Sequence, residues 1–333
     1  MQSIKTESVA YRLVARLVRV LLLLTAIGLP GHTFAQTYPS KSVRIVVPFP
    51  AGAGGDYATR LFTPRLSEAF GQQFVIDNRS GAAGNIGAEA VARAAPDGYT
   101  LLTVSVTLAI GQSLYKNLTF DLARDFEPVA LFASTPYVLG IHPSVPAKSL
   151  ADLVALAKAR PGQLIFGSAG SGSGGHLTAE MLKMQANINF LHVPYKGTIP
   201  AITDLISGQI SMTFASSLLT HIKAGRLRGL AITSAKRSLV APELATIAES
   251  GFPGFESGTW FGLLAPAGTP REIVTRLNAV VTNAGQLREI RDLLMAQSAA
   301  ESLSGTPDQA GAYVRNEITK WRKVVAVSGA RAD

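Results

Sequence analysis

The stretch "VRIVVPFPAGAGGDYATRLFTPRLSEAF", residues 43–70, decides the architecture. It opens with a short β-branched run, turns through glycines, and continues with apolar residues at helical spacing that stop before Gly71. That order is strand, glycine-rich loop, helix. It recurs in "QFVIDN" (strand), "NIGAEAVARAA" (helix, closed by "PDG") and "TLLTVSV" (strand). Strands that alternate with helices predict a parallel sheet covered on both faces.

A second set follows: "YVLGIHP", "LIFGS", "FLHVPY", "ISMTFAS" and "LRGLAITS" read as strands, with "SLADLVALAKA", "HLTAEMLKMQA" and "IPAITDLISG" as helices among them. The segment "APELATIAESGFPGFESGTW" breaks the alternation and reads as a crossover or hinge. One strand, "FGLLAP", and three helical stretches come after it and return to the first sheet. The prediction is an α/β chain of two lobes, each a doubly wound, mostly parallel sheet with helices on both faces. Lobe 1 takes residues 36–135 and 256–333, and lobe 2 takes residues 136–255.

Composition narrows the function. Basic residues exceed acidic ones by nine, but no basic run or basic-aromatic interleaving occurs, so nucleic acid is not an expected partner. Without cysteine there is no disulfide framework, thiolate zinc site or cysteine nucleophile. Lys5, Arg12, Arg16 and Arg19 precede the apolar run "VLLLLTAIGL", and "TFAQ" follows, which is the pattern of a secretory leader spanning residues 1–35. The apolar core is shorter than the ~20 residues a spanning helix needs. Cleavage after Ala35 leaves 27 basic and 21 acidic residues. The expected product is a soluble, exported monomer of the Gram-negative periplasm, not embedded in a membrane.

Loops at the carboxyl ends of strands are where open α/β sheets bind ligands, because helix N-termini expose N–H groups there. The richest is "IFGSAGSGSGGHL", residues 165–177: Ser168, Ser171 and Ser173 add hydroxyls to the amides around Gly170, Gly172 and Gly174, beside His176. The first loop, "PFPAGAGGD", is the second candidate, read either as a ligand-facing turn or as a flexible turn with Asp56 as its cap. "TVSVT" brings Thr103, Ser105 or Thr107 toward a cleft, and "HVPYKG" contributes Tyr195, Lys196 and Gly197. On sequence alone Lys196 reads as a surface lysine rather than a ligand contact. Gly170, Gly172 and Gly175 satisfy G-x-G-x-x-G, yet "NFLHVPYKG" lacks the acid that a ribose requires, so no dinucleotide is expected. No P-loop, G-x-S-x-G or H-E-x-x-H motif occurs, and neither a cofactor nor a metal nor a catalytic residue is assigned.

Taken in order, "VRIVVPFPAGAGGD", "NRSGAAGNIGAEAVARAAPDGYTLL", "SLYKNLTFDLARDFEPVAL", "FGSAGSGSGGHLTAEML", "HVPYKGTIPAITDLISGQI", "HIKAGRLRGLAIT" and "WFGLLAPAGTP" resemble the Bug family of periplasmic solute-binding proteins, related to tripartite tricarboxylate transporters. The resemblance implies a two-lobed type II periplasmic binding fold that closes on a small carboxylate. It places the carboxylate on main-chain donors of Gly170, Ser171, Gly172 and Ser173, with Phe49, Pro50, Ala51 and Gly52 opposite. Ser216, in the shortened "ASSLLT" loop after Phe214, completes the candidate set. The chain departs from the family pattern at Ala53, at that shortened loop, and at "ELATIAE", where a Pro-Thr pair is common.

The expected function is therefore non-catalytic capture of a small carboxylate and its delivery to membrane transporter subunits. A sensor docking on a membrane kinase and an exported α/β hydrolase are the alternatives.

Overall fold

The computed structural model describes residues 38–239, 241–298 and 300–330. The leader therefore lies outside the described residues. All elements below belong to the compact unit Lys41–Asp333.

The opening stretch folds as read: β1 (Val43–Val47) is buried along nearly its whole length, and helix α1 (Gly54–Phe70) ends at Gly71 in the left-handed conformation. Next come β2 (Phe74–Asn78), helix α2 (Asn85–Ala92) and β3 (Thr100–Ser105). β1 pairs in parallel with β2 and β3, so all three carboxyl ends, and the loops after them, lie at one edge. Helix α3 (Val106–Leu114) starts directly on β3, its first turn capped by the Ser105 hydroxyl. β4 (Phe126–Pro136) then runs into β5 (Val138–Ile141) with Tyr137 alone between them.

The middle of the chain builds a second sheet from β5, β6 (Ile165–Ser168), β7 (Leu191–Pro194), β8 (Met212–Ala215) and β9 (Arg228–Ile232). Helix α4 (Leu150–Ala159), opened by a Ser149–Asp152 capping box, follows β5. Helices α5 (Gly174–Ala186), α6 (Thr198–Ile206) and α7 (Leu219–Lys223) follow β6, β7 and β8. The chain returns as β10 (Gly258–Pro266), α8 (Arg271–Gln286), α9 (Arg288–Ser298), the two-residue β11 (Glu301–Ser302) and α10 (Pro307–Ser328).

The strand orders are β11-β4-β10-β3-β1-β2 and β7-β6-β8-β5-β9. Both sheets are mixed, where a mostly parallel arrangement was expected. β10 runs antiparallel to β3 and β4, and β5 antiparallel to β8 and β9. The reason is the double crossing: a strand leaving one lobe and a strand returning to it have opposite directions, so they pair antiparallel.

The two crossings are tied together by one buried threonine. Thr233 Oγ1 accepts the Tyr137 N–H at 2.8 Å and donates to the Ser257 carbonyl at 2.6 Å. The backbones add Thr233 N–H to Tyr137 O and Ser257 N–H to Thr233 O. Around them a continuous apolar core joins Leu102 and Leu108 of the first lobe to Phe166 and Phe214 of the second. Helix α10 packs on α3 and also reaches α5. Within it, the buried carboxylate of Glu317 accepts both indole N–H groups of Trp260 and Trp321, at 2.8 and 3.0 Å.

Candidate functional site

The N-terminus of α5 opens onto a cavity of about 210 Å³. Its lining comes from four places: Ser173–Gly175 at the helix start, Ser216 and Ser217 after β8, Thr198 at the start of α6, and Tyr137 with Thr259 from the two crossings. The Tyr137 hydroxyl and Thr259 Oγ1 are hydrogen-bonded at 2.9 Å. Gly174 has to be glycine, because a Cβ there would collide with the Tyr137 hydroxyl. Similarly, a Cβ on Gly175 would lie 2.7 Å from the Phe214 carbonyl oxygen.

Among the described residues no acidic or basic side chain lines this cavity. Its polarity comes from hydroxyls and from the helix end, where unsatisfied N–H groups and the macrodipole carry about half a positive charge. Such a surface suits an anion held by neutral donors. The volume is about seven times the ~30 Å³ share of a liquid water, which suits a small solute.

The loop before the helix is tied largely to itself. The Gly172 N–H donates to His176 Nδ1 at 3.0 Å, and the Ser173 hydroxyl caps the helix by accepting the His176 N–H. The Gly170 N–H donates to Ser168 Oγ, which also lies 2.7 Å from His192 Nε2. Gly172 has φ +74°, and a Cβ there would overlap Leu114 at the end of α3. Burial lowers the pKa of both histidines to about 4, so each ring is neutral at pH 7.

Of the residues expected from sequence, Ser173 and Ser216 line the cavity. Ser168, Gly172 and His176 lie buried behind it, and Ser171 with His176 faces a separate cavity of about 600 Å³ on the other side of α5. Tyr195, Lys196 and Gly197 form the neighbouring loop. There the Tyr195 hydroxyl donates to Asp204 at 2.7 Å, and the Gly197 N–H donates to the Ala169 carbonyl. Burial, reinforced by Asp204, raises the Tyr195 hydroxyl to about 12.

Thr103 and Ser105 are fully buried, the first bonded to Thr59 and the second capping α3. In the first loop Pro50, Ala51 and Gly52 are exposed, and Phe49 meets Phe261 edge-on at 6.1 Å. That loop is anchored by the buried Asp56, whose Oδ2 accepts the Gly52 N–H at 2.8 Å. The sequence reading missed Tyr137, Thr198, Ser217 and Thr259. Tyr137 and Thr259 stand 122 positions apart, and only pairing across the crossings joins them.

Among the described residues no group of three or more His, Cys, Asp or Glu could hold a metal ion, and no helix is long and apolar enough to cross a membrane.

Comparison with known proteins places this geometry. Residues 58–329 match the family described as tripartite tricarboxylate transporter family receptor. The chain is 37% identical to protein BugT of Bordetella pertussis over 308 residues, 91% of this chain and 94% of that one. A structure of R. palustris Rpa4515 with adipate is 39% identical, with a TM-score of 0.74, over 88% of this chain and 99% of that one. MatC from Rhodopseudomonas palustris with bound malate is 32% identical, with a TM-score of 0.70, over 86% of this chain and all of that one.

Proposed function

The chain belongs to the tripartite tricarboxylate transporter receptor family, a family of solute-binding receptors and not of enzymes, and on that premise we propose that it captures a small carboxylate in the cavity at the N-terminus of α5. The observation that carries the reading is the set of neutral donors there: the helix start at Ser173–Gly175 faces the hydroxyls of Ser216, Ser217, Thr198 and Thr259, with no cation in the lining. A carboxylate receives charge-assisted hydrogen bonds from such groups, each worth about 1.5–3 kcal/mol. The adipate held by Rpa4515 and the malate held by MatC support a ligand of this class.

In this reading, lobe 1 (residues 36–135 and 256–333) and lobe 2 (136–255) close about the crossings at Tyr137 and Ser257. The loop Phe49–Gly52 then meets the solute from the first lobe. Binding shifts the population toward the closed form, because only that form offers donors from both sides. The receptor acts as a periplasmic monomer and hands its solute to membrane transporter subunits.

Thermal unfolding after refolding to remove carried-over solute tests the ligand class. Mono-, di- and tricarboxylates, sugars and cations form the panel. A ligand at about 100 times its Kd adds about 2.7 kcal/mol and raises the midpoint visibly. Shifts confined to carboxylates are expected; shifts from sugars or cations alone would overturn the reading.

A further inference from the structure

Behind the cavity two histidines stack face to face. The rings of His176 on α5 and His192 on β7 are 3.9 Å apart and 9° from parallel. The bond to Gly172 fixes where the proton of His176 sits. Nδ1 of His176 accepts the Gly172 N–H, so its own proton is on Nε2, which faces Glu180 Oε1 at 3.9 Å. Ser168 Oγ accepts the Gly170 N–H at 3.2 Å and donates to the Gly170 carbonyl at 3.0 Å. Ser168 Oγ is also hydrogen-bonded to His192 Nε2 at 2.7 Å, a bond that either atom can donate.

His176 thus holds one glycine of the segment 168–173 directly, and His192 reaches another through Ser168. The first lobe shows the same device with a different group, the Gly52 N–H held by the carboxylate four residues on. A carboxylate accepts over the whole neutral range, whereas an imidazole accepts only while unprotonated.

Resting on the carboxylate reading, we infer that His176 is a positioning residue for the solute site: as a neutral ring stacked on His192 it holds loop 168–173 in its binding shape through the Gly172 amide, and protonating it releases the loop and weakens solute binding.

The chemistry follows from the contacts. An imidazolium has no acceptor, so Nδ1–H of His176 would face the Gly172 N–H, donor against donor. Two cations stacked at this distance would also repel. Among the described residues the charged groups facing the pair are Glu180 and Lys183 of α5, themselves paired at 2.9 Å. Phe166 and Ser168 of β6 are uncharged, as are Asn189, Phe190 and residues 328–330 at the rim of the larger cavity. Burial is the leading cause of the lowered values; Lys183 opposes protonation of both rings, and Glu180 favours protonated His192. For a histidine whose value falls on folding, the locked form loses stability as pH drops from the unfolded value near 6.5 toward about 4.

Two measurements decide it. The first uses solute-free protein: ¹⁵N resonances of the imidazoles and of Gly170 and Gly172 are followed as the pH falls from about 7.5 to about 3.5. The glycine amides are expected to move with the ring titration, and amides that stay unchanged while the rings protonate would overturn the inference.

The second measures adipate and malate affinity at about pH 7.5 and about pH 4, near the folded value of the ring, in wild type, His176→Asn and His176→Leu. Asn places an oxygen near Nδ1 and does not titrate, so it should bind as wild type at the higher pH and lose the acid weakening. Leu should lose about tenfold or more at both, the loss of one hydrogen bond. The Asn variant shares any protonation of the acids themselves, so only the difference from wild type counts. Equal acid weakening in wild type and the Asn variant, or unchanged affinity in the Leu variant, would refute the positioning role. If neither acid binds wild type at pH 7.5, the carboxylate reading and the solute half of the inference fall, while the amide resonances still decide whether the ring locks the loop.

Discussion

Replacing Asp56 by Asn tests how the first loop is held. The carboxylate is 1% exposed. Its Oδ2 accepts Gly52 N–H and Arg60 Nε, both at 2.8 Å, and its Oδ1 accepts Asn78 Nδ2 at 2.9 Å. An amide has one acceptor where the carboxylate has two. If its oxygen serves Gly52 and Arg60, its NH₂ faces the Asn78 NH₂; if it serves Asn78, the NH₂ faces the Gly52 amide and the guanidinium. Rotating Asn78 offers no escape, since its NH₂ also serves the Phe49 carbonyl. At least one part-buried donor loses its partner, a cost of about 1–3 kcal/mol, or roughly 5- to 150-fold in the folding equilibrium. The Arg60 side chain is half exposed, so its share is the small one.

The difference between the two proteins should also depend on pH. Burial pushes the Asp56 carboxyl up, but Arg60 and the Gly52 and Asn78 donors outweigh it and hold it below the usual carboxylate range. A depressed value means stability present above the unfolded value, 3.8 here, and lost as pH falls through the folded one. Urea unfolding of both proteins from pH 7 to 3 should therefore show a gap that is constant near neutrality and closes below about pH 4. A variant as stable as wild type, or a gap that stays open in acid, would refute this account.

Two other outcomes follow from single contacts. Glu317→Ala strands two buried indole N–H groups and should cost about 1–3 kcal/mol for each, while Glu317→Gln keeps an oxygen for both and should cost less, read from urea midpoints. Replacing Ser216 and Ser217 together by Ala should weaken carboxylate binding about tenfold or more by calorimetry, with little change in unfolding, because neither side chain is fully buried.

Much of the fold is legible because local signals agree with it. β1, α1 and Gly71 show a β-branched run, a helical period and a glycine stop, and Ser149 announces α4 three residues ahead of Asp152. Two elements are hidden. β4 lacks clean alternation, since Pro128 interrupts it and its register against β10 shifts twice. α3 continues an apolar run straight out of β3, with only Ser105 to mark the boundary.

The site divides in the same way. The glycine-serine loop and the start of α5 can be read locally, and so can Ser173 and Ser216. Tyr137 and Thr259 cannot, because neither carries a motif and their approach depends on how the crossings pair. Nor does the sequence reveal that the amides of Gly170 and Gly172 are spent on Ser168 and His176, since which donors stay free is a property of the folded loop.

The start of α5 is proposed to hold a carboxylate. The most direct measurement is a crystal structure with the acid that raises the unfolding midpoint most. A carboxylate oxygen is expected about 2.7–3.0 Å from the amide nitrogens of Gly174 or Gly175, with hydroxyls of Ser173, Ser216 or Thr259 around it. A solute seated in the larger cavity beside Lys183, or one that turns an uncharged end to the helix, would contradict this placement.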